Sequence, residues 1–258
     1  MKLSQRERVL AGLLALLALT AWALPYTPQD ESFHQFVDGR AWLGIPNAQN
    51  VLSNLPIALA GMAGLGLLAL RRLNTTSTAL TANLVLFFAG LIVTAGCSAW
   101  YHAAPTGSNL VLDRMGLVLA YAGTLGLLAA DKVSARAGWA MAALGLAAGP
   151  ASVLWWQASG DVAPYAVVQF GAMLLLLLAA LSWREGGGPG WGWVLVLYAA
   201  AKLCEMYDYE IYAWGGHVAA GHALKHLLAA GTALAVMGPL MRKQNVAVKS
   251  RRRWRATI

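Results

Sequence analysis

The segment that decides the fold runs from residue 80 to residue 102 and reads LTANLVLFFAGLIVTAGCSAWYH. It contains no Asp, Glu, Lys or Arg, and it exceeds the roughly 20 residues that an α-helix needs to cross the hydrocarbon core of a bilayer. Because backbone amides cannot face hydrocarbon unpaired, such a segment must be helical. It therefore predicts a transmembrane helix that ends on a histidine, His102.

Apolar segments of the same kind recur along the chain. Its composition agrees with a lipid environment, since 59% of the residues are hydrophobic and only 12% are charged, against about 25% charged in soluble proteins. The segments are Val9–Leu24, Val51–Leu70, Leu80–His102, Leu110–Ala130, Gly138–Trp156, Tyr165–Trp183, Trp191–Tyr207 and His217–Met241. We predict an all-α, multi-pass transmembrane bundle of eight helices.

The basic residues lie mostly at one set of helix ends. Of the 19 Lys and Arg residues, only Arg40, Arg114, Lys202 and Lys225 lie at or near the other ends. The positive-inside rule then predicts that both termini are cytoplasmic and that residues 30–50 form an external loop. In a bacterium, this membrane would be the plasma membrane.

The net charge of +8 follows from this topology. Much of it lies in the tail, residues 242–258, where the cluster from Lys249 to Arg255 is expected to contact anionic lipid headgroups. Nucleic-acid binding requires a basic patch beside a recognition element, and no such element is visible in the sequence. We therefore expect no nucleic-acid partner.

The first apolar segment allows two interpretations. Basic residues, an apolar run and the sequence Ala21-Trp22-Ala23 also describe a cleaved signal peptide, but the length of the run favours a retained helix. The predicted organisation is an N-terminus with a leading helix (1–29), an external loop (30–50), a helical core (51–241) and a basic cytoplasmic tail (242–258).

Ionisable side chains gather near the external ends of three predicted helices. Ser98 and His102 lie one turn apart on one helix, Asp113 begins the next, and His222 and His226 share a face of the last. Three histidines suit a catalytic zinc, which keeps one position open for water and lowers its pKa to about 7. Asp113 could take a proton from that water, and Ser98 could hold the water or the oxyanion.

Simpler roles exist for each of these residues. A pair of histidines four residues apart is weak support for a metal, Ser98 could be a small residue at a helix contact, and Asp113 could pair with Arg114. The shared external depth of all five residues, on three separate helices, favours a metal site toward the external face.

A second group of charges lies nearby. Lys202, Glu205 and Asp208 form one stripe near the external end of their helix, and Lys225 has a comparable depth on the last helix. These side chains could bind a polar lipid headgroup, or they could pair with one another and hold helices together. Pairing is favoured because unpaired charges in a membrane are costly.

The order of the site residues resembles the alkaline ceramidase family. Gly96-Cys97-Ser98-Ala99-Trp100-Tyr101-His102, then Asp113, then His222-Ala223-Leu224-Lys225-His226 matches the S-x3-H, D, H-x3-H pattern of that family and of the wider CREST superfamily of membrane hydrolases, which includes adiponectin-type receptors. The resemblance extends roughly from Asp30 to Met241. It implies a seven-helix core with one leading N-terminal helix, and a zinc on the three histidines beside Ser98 and Asp113.

The resemblance also implies an activity. Members of the family hydrolyse the amide bond of ceramide, so the expected partner is a ceramide-like membrane lipid. Three alternatives stay open: hydrolysis of another acyl lipid, such as an N-acyl amino lipid or an ester; a receptor-like protein with a zinc site and little turnover; and a structural protein in which zinc joins helices.

Two departures distinguish the chain from eukaryotic ceramidases. Asn47 stands where these enzymes carry a glutamate of a calcium-binding stretch, and His34, Phe36 and Asp38 do not reproduce the remaining ligands, which argues against calcium. Lys225 stands where eukaryotic members often carry an aromatic residue. The chain is therefore more similar to the bacterial, ceramidase-like branch.

Overall fold

The computed structural model describes the backbone of residues 2–182 and 188–255 and the side chains of residues 2–181 and 188–241. Within these residues the chain is helical and has no β-strand. The helices are α1 (Gln5–Ala23), α2 (Ala48–Leu52), α3 (Leu55–Ala69), α4 (Thr78–Ala103), α5 (Gly107–Lys132), α6 (Ala135–Ser159), α7 (Ala163–Ser182), α8 (Trp191–Met206), α9 (Asp208–Trp214) and α10 (Gly221–Arg255), with a short 3-10 helix at Glu31–His34.

Six of these segments are long and apolar enough to cross a membrane. They are Ala48–Ala69, Thr78–Ala103, Gly107–Lys132, Ala135–Ser159, Ala163–Leu181 and Gly221–Met241. The prediction of an all-α, multi-pass transmembrane bundle is therefore confirmed.

Two predicted membrane helices do not belong to that group. Helix α1 has 19 residues but carries Arg6, Glu7 and Arg8 in its first turns. Helix α8 has 16 residues, which at about 1.5 Å per residue fall short of a bilayer core of about 30 Å. The full count of a seven-helix core and one leading helix stays a prediction.

Polar side chains begin three of the long helices, α4, α5 and α6. Ser77, Thr106 and Ser134 each accept a hydrogen bond from the backbone N–H three residues later, at 3.1, 3.2 and 3.0 Å. Gly160 ends α6 in the left-handed region, with φ +78°, where glycine is favoured. These caps keep the connections short, so α4, α5 and α6 run alternately up and down.

Helices α4 and α5 approach each other closely. A Cβ on Gly116 would lie 2.9 Å from the Cα of Thr94, and the Thr94 hydroxyl donates to the carbonyl of Gly116 at 2.9 Å. Since the two helices are antiparallel, this contact fixes their register. The same register brings Ser98 of α4 level with Asp113 of α5.

The predicted helix Val51–Leu70 is broken in the structure. The break lies between α2 and α3, because Pro56 has no N–H to donate to the carbonyl of Leu52. At the break, the Ser53 hydroxyl donates to the carbonyl of Asn50 at 3.0 Å and lies 2.7 Å from Nδ1 of His226. A local interruption of the helix therefore provides a partner for a site histidine.

The last helix begins later than predicted. Gly216 and His217 adopt left-handed φ values of +64° and +63°, so a turn stands where the sequence predicted the first helical residues. Most of the predicted connector before it is helix α9. Asp208 at the start of α9 accepts a hydrogen bond from the backbone N–H of His222 at 2.7 Å, which satisfies a free donor at the start of α10.

The ends of the helices that the sequence assigns to the cytoplasm lie together. Glu7 of α1 accepts from Ser134 at 2.7 Å and pairs with Arg136 at 2.6 Å, and Arg6 donates to the carbonyl of Lys132 at 3.1 Å. At the opposite end, the chain after α1 joins the connection between α6 and α7. The grouping agrees with the predicted topology, and which end faces the cytoplasm stays a prediction.

Two predictions concern residues outside the described ones. The contact of the basic tail with anionic lipids falls on side chains beyond residue 241. The predicted end of the sixth segment, Trp183, lies in the gap between residues 182 and 188.

Candidate metal centre

Three buried histidines meet where α4 and α10 approach each other. His102 lies near the end of α4, and His222 and His226 lie in the first two turns of α10; one ring nitrogen of each lies within 4.8 Å of the others. The three residues are 1%, 6% and 4% exposed. Among the described residues, no other group of three His, Cys, Asp or Glu residues is close enough to hold a metal ion. The predicted three-histidine cluster is therefore present.

The ring nitrogens of the cluster are poorly satisfied by protein groups. Nδ1 of His226 lies 2.7 Å from the Ser53 hydroxyl, which leaves its Nε2 free for a ligand. Nδ1 of His102 and Nε2 of His222 are buried without a hydrogen-bond partner. A buried polar atom without a partner costs about 1–3 kcal/mol, and a coordinated metal would remove that cost. The donor set fits a transition-metal ion that accepts imidazole nitrogen.

The loop before α2 covers the cluster. The ring of Phe36 contacts the rings of His102 and His222 edge-on, with centroids 4.7 and 4.8 Å apart. The side-chain amide of Asn47 donates to the carbonyl of His102 at 2.9 Å. The sequence did not indicate this role for Phe36, because no periodic pattern marks a loop residue. The apolar ring of Phe36 thus covers His102 and His222 on the side that faces the loop.

Polar contacts fasten this loop to the turn before α10. Asp38 is 2% exposed and accepts from Nη2 of Arg40 at 2.7 Å; that guanidinium also donates to the carbonyl of Val218 at 3.4 Å. The Arg40 guanidinium holds the pKa of the Asp38 carboxyl below its usual range. The side chain of Gln49 donates to Val218 at 2.8 Å and accepts from the N–H of Ala220 at 2.7 Å.

Ser98 and Asp113 lie beside the histidines. Ser98 is 5% exposed and stands one turn before His102, and its hydroxyl lies near the carboxylate of Asp113. Asp113 is half-buried and lines the same cavity as His102 and His222. The sequence-predicted serine and aspartate therefore lie next to each other and beside the cluster.

A cavity of about 230 Å³ opens beside the cluster. We call it the polar cavity, since charged and amide side chains make up much of its lining. These polar residues are Gln29, His102, Asp113, Arg114, Gln169, Lys202, Glu205, His222 and Lys225. The cavity is smaller than most sites for drug-sized ligands, which measure about 300–1,000 Å³.

Of the second predicted group of charges, three side chains pair with one another in the structure and the fourth, Asp208, lies apart from them. Glu205 of α8 pairs with Lys202 through one carboxylate oxygen and with Lys225 of α10 through the other, at 2.8 Å for Lys225. All three side chains line the polar cavity. Asp208 instead accepts from the backbone N–H of His222 and does not line the cavity. The pairing joins α8 to α10 and also supplies the cavity with charge.

Arg114 has surroundings that the sequence did not predict. It is 4% exposed, and its guanidinium carbon lies 4.0 Å from the ring centroid of Trp156 and 4.5 Å from that of Tyr165. Nη2 donates to the side chain of Gln29, whereas Nη1 is buried without a partner. Aromatic faces stabilise a guanidinium electrostatically but accept no conventional hydrogen bond, so a donor stays free at the polar cavity.

A larger cavity, of about 520 Å³, lies elsewhere and contains none of these residues. Apolar side chains of α1, α6 and α7, with Leu125 of α5, make up nearly all of its lining, and we call it the apolar cavity. Helix α7 separates the two: Pro164, Val167 and Gly171 line the apolar cavity, whereas Tyr165 and Gln169 line the polar one.

Comparison of the chain with protein-family models, with curated proteins and with solved structures finds no match in any of the three. The resemblance to alkaline ceramidases therefore stays a prediction from the sequence motif.

Proposed function

We propose that the chain is a zinc-dependent membrane hydrolase that cleaves the amide bond of a ceramide-like N-acyl lipid. One observation carries the proposal: three buried histidines with unpartnered ring nitrogens adjoin a serine–aspartate pair at the edge of a polar cavity. A membrane position suits a lipid substrate, whose acyl chain can stay among the helices.

The number of ligands favours catalysis over a structural metal. Structural zinc sites are usually closed by four protein ligands, whereas catalytic sites keep one position for water. The cluster offers three histidines within the described part of the chain, and Asp113 lies beside them as a carboxylate that can accept a proton.

The roles of the residues follow from their chemistry. When bound, zinc supplies a Lewis acid that lowers the pKa of a water and polarises the carbonyl. Asp113 takes a proton from the attacking water, and the oxygen of that water adds to the amide carbonyl carbon. Ser98, which lies near Asp113, can donate its hydroxyl proton in a hydrogen bond to the developing oxyanion. As the C–N bond breaks, Asp113 passes the proton to the leaving nitrogen, which gives a fatty acid and a free amine.

The proposal includes an orientation. Both termini would lie in the cytoplasm and the polar cavity near the external face, which is the plasma-membrane surface in a bacterium. The basic tail would contact anionic lipids on the inner face. Single cysteines introduced at Ser159 and at Thr76, in a Cys97→Ser, Cys204→Ser background, test this in intact cells: an impermeant thiol reagent should label the first and not the second. The reverse pattern would invert the topology.

Activity on a panel of lipids tests the reaction. Purified protein is incubated with ceramide, an N-acyl amino lipid and a lipid ester, and the released fatty acid is measured. We expect release from an amide lipid, loss of release after treatment with a chelator, and recovery on addition of Zn²⁺. Zinc-loaded protein that binds lipid but releases fatty acid from none of the three would contradict the hydrolase and favour the receptor-like alternative.

A further inference from the structure

The polar cavity carries more fixed positive than negative charge. Arg114, Lys202 and Lys225 line it with one positive charge each, and Asp113 and Glu205 with one negative charge each. Three cations therefore face two anions, and a divalent ion on neutral histidines would add to the excess. Uncompensated charge in a site sheltered from water is costly, so the cavity is electrostatically suited to an anionic ligand.

The three cationic side chains also have hydrogen-bond donors to spare. An ammonium group has three N–H donors, and within the described residues Glu205 is the acceptor for both Lys202 and Lys225. Nη1 of Arg114 is buried with no acceptor at all. Arg114 is itself more than nine-tenths buried, and it lines the cavity.

We propose that the polar cavity binds an anionic group, a carboxylate or a phosphate, on the amine portion of the lipid, and that Arg114, Lys202 and Lys225 hold it. The substrate class is then an N-acyl lipid with an anion close to the amide, rather than neutral ceramide. The proposal deepens the hydrolase function and rests on it for the bond that is cleaved. The volume of about 230 Å³ admits such a headgroup and excludes the acyl chain, which must lie outside the cavity.

A purely structural role for the Lys202–Glu205–Lys225 cluster makes a different prediction. If the cluster only joins α8 to α10, then losing either the Glu205 carboxylate or the Lys225 ammonium removes the same contact and should have the same effect. If the cluster binds an anion, the two losses have opposite effects. Removal of Glu205 raises the positive charge and frees donors, whereas removal of Lys225 does the reverse.

Equilibrium binding of matched lipids tests the proposal. The probes are N-lauroylglycine and its neutral analogue N-lauroylglycinamide, and ceramide 1-phosphate and ceramide, each titrated into zinc-loaded, full-length protein in detergent. An Asp113→Asn background prevents turnover, and zinc-free protein with Asp113 intact is titrated beside it, because this substitution also removes one of the two anions that line the cavity. We expect each anionic lipid, or one of the two, to bind about 10- to 100-fold more tightly than its neutral partner, the range typical of charge-assisted hydrogen bonds. The pair with the preference identifies the anion as carboxylate or phosphate.

Two variants with opposite charge changes decide the origin of any preference. Lys225→Gln should reduce the preference at least 10-fold, and Glu205→Gln should leave it unchanged or increase it. Arg72→Gln, an exposed residue just beyond α3 at the other end of the bundle, is the matched control and should change nothing. Lys202→Gln replaces Lys225→Gln if the latter does not fold, as judged by size-exclusion chromatography.

The outcomes separate this proposal from the hydrolase function. Equal binding of anionic and neutral lipids, or equal losses in Lys225→Gln and Glu205→Gln, would overturn the anion site even if the wild-type protein hydrolyses amides. A preference that depends on Lys225, together with no fatty-acid release by the wild-type protein, would support the anion site and overturn the hydrolase.

Discussion

The two cavities on either side of α7 differ in size and in chemistry. The apolar cavity is more than twice as large, yet its lining is almost entirely hydrocarbon; the polar cavity is small and contains five charged side chains and two of the three histidines. In a membrane protein, a large apolar hollow can simply be filled by lipid, and its volume says little about function. Buried charged side chains are the better indicator of a functional site, because a charge inside a membrane is costly and commonly marks a site of function.

The largest expected effect comes from removing a histidine that faces the polar cavity. His222→Ala should reduce bound zinc from about one ion per chain to a small fraction of that, because a three-ligand site cannot lose one ligand without a loss of affinity above about 100-fold. Elemental analysis of purified protein measures it. His217→Asn is the control, because asparagine tolerates the left-handed backbone at that position. This variant should retain zinc. Equal zinc in both variants would exclude His222 as a ligand.

The next effect separates chemistry from metal binding. Asp113→Asn should lower the rate of fatty-acid release by about 10²- to 10⁴-fold, the usual contribution of a general base, while zinc content stays the same. Initial rates on the best lipid of the panel give the comparison. Asp30→Asn, an exposed carboxylate in the loop, is the matched control. A decrease of less than about threefold in Asp113→Asn would remove the proposed base.

A smaller effect is expected from the partner of His226. Ser53→Ala should weaken zinc affinity by about 10- to 100-fold, because the hydroxyl orients the imidazole and keeps its Nε2 free for the metal. Competition with a zinc chelator of known affinity measures the change. Ser159→Ala is the control and should behave as wild type. The hydroxyl of Ser159 bonds only to the backbone of Trp155 and Asp161, at the end of α6 and in the turn after it. If both variants lose zinc equally, Ser53 does not orient the ligand.

The Asp38–Arg40 pair, in the loop that covers the histidine cluster, gives a prediction about pH. Arg40 lowers the pKa of Asp38 in the folded protein, so the ionised carboxylate stabilises the fold above the unfolded value of about 3.9, and this contribution disappears as the pH falls through the lower, folded pKa. Thermal unfolding should show Asp38→Asn less stable than wild type at pH 7. That gap should narrow as the pH falls below 4. A gap independent of pH would mean that the pair does not contribute through its charge.

The smallest effect is expected in the apolar cavity. Ala148→Leu adds volume to an exposed position of that cavity, on the other side of α7 from the histidines, and touches no charged group. We expect zinc content and fatty-acid release to remain within about twofold of wild type, as is usual for substitutions outside buried networks. A loss comparable to that of Asp113→Asn would show that the two cavities are coupled, and the contrast between them would fail.

The sequence was most informative where a simple physical constraint acts along the chain. Hydrocarbon forces long apolar segments such as residues 80–102 into helices, and the spacing of His222 and His226 places both on one face, so the helices and the three-histidine cluster were predictable. The substrate and the ceramidase resemblance stay predictions, since no matched protein supports them.

Other features depend on contacts that no local pattern reports. The break caused by Pro56 was missed because the hydropathy of the segment is uninterrupted, yet it provides Ser53 for His226. The position of Phe36 over the cluster follows from a loop conformation, and the aromatic surroundings of Arg114 come from three separate parts of the chain.

The position of α1 determines which cavity would change if a protease removed this helix as a signal peptide. Leu14, Leu17, Ala18, Ala21 and Trp22 form one wall of the apolar cavity, and no residue of α1 lines the polar one. The loop that follows α1 has its own contacts: the backbone N–H of Val162 donates to the carbonyl of Thr27 at 2.8 Å, and Arg40 donates to the carbonyl of Val218 in the turn before α10 at 3.4 Å. Excision of α1 would therefore open the apolar cavity to surrounding lipid and leave the histidines covered. The leading helix thus forms part of the apolar cavity and no part of the polar one.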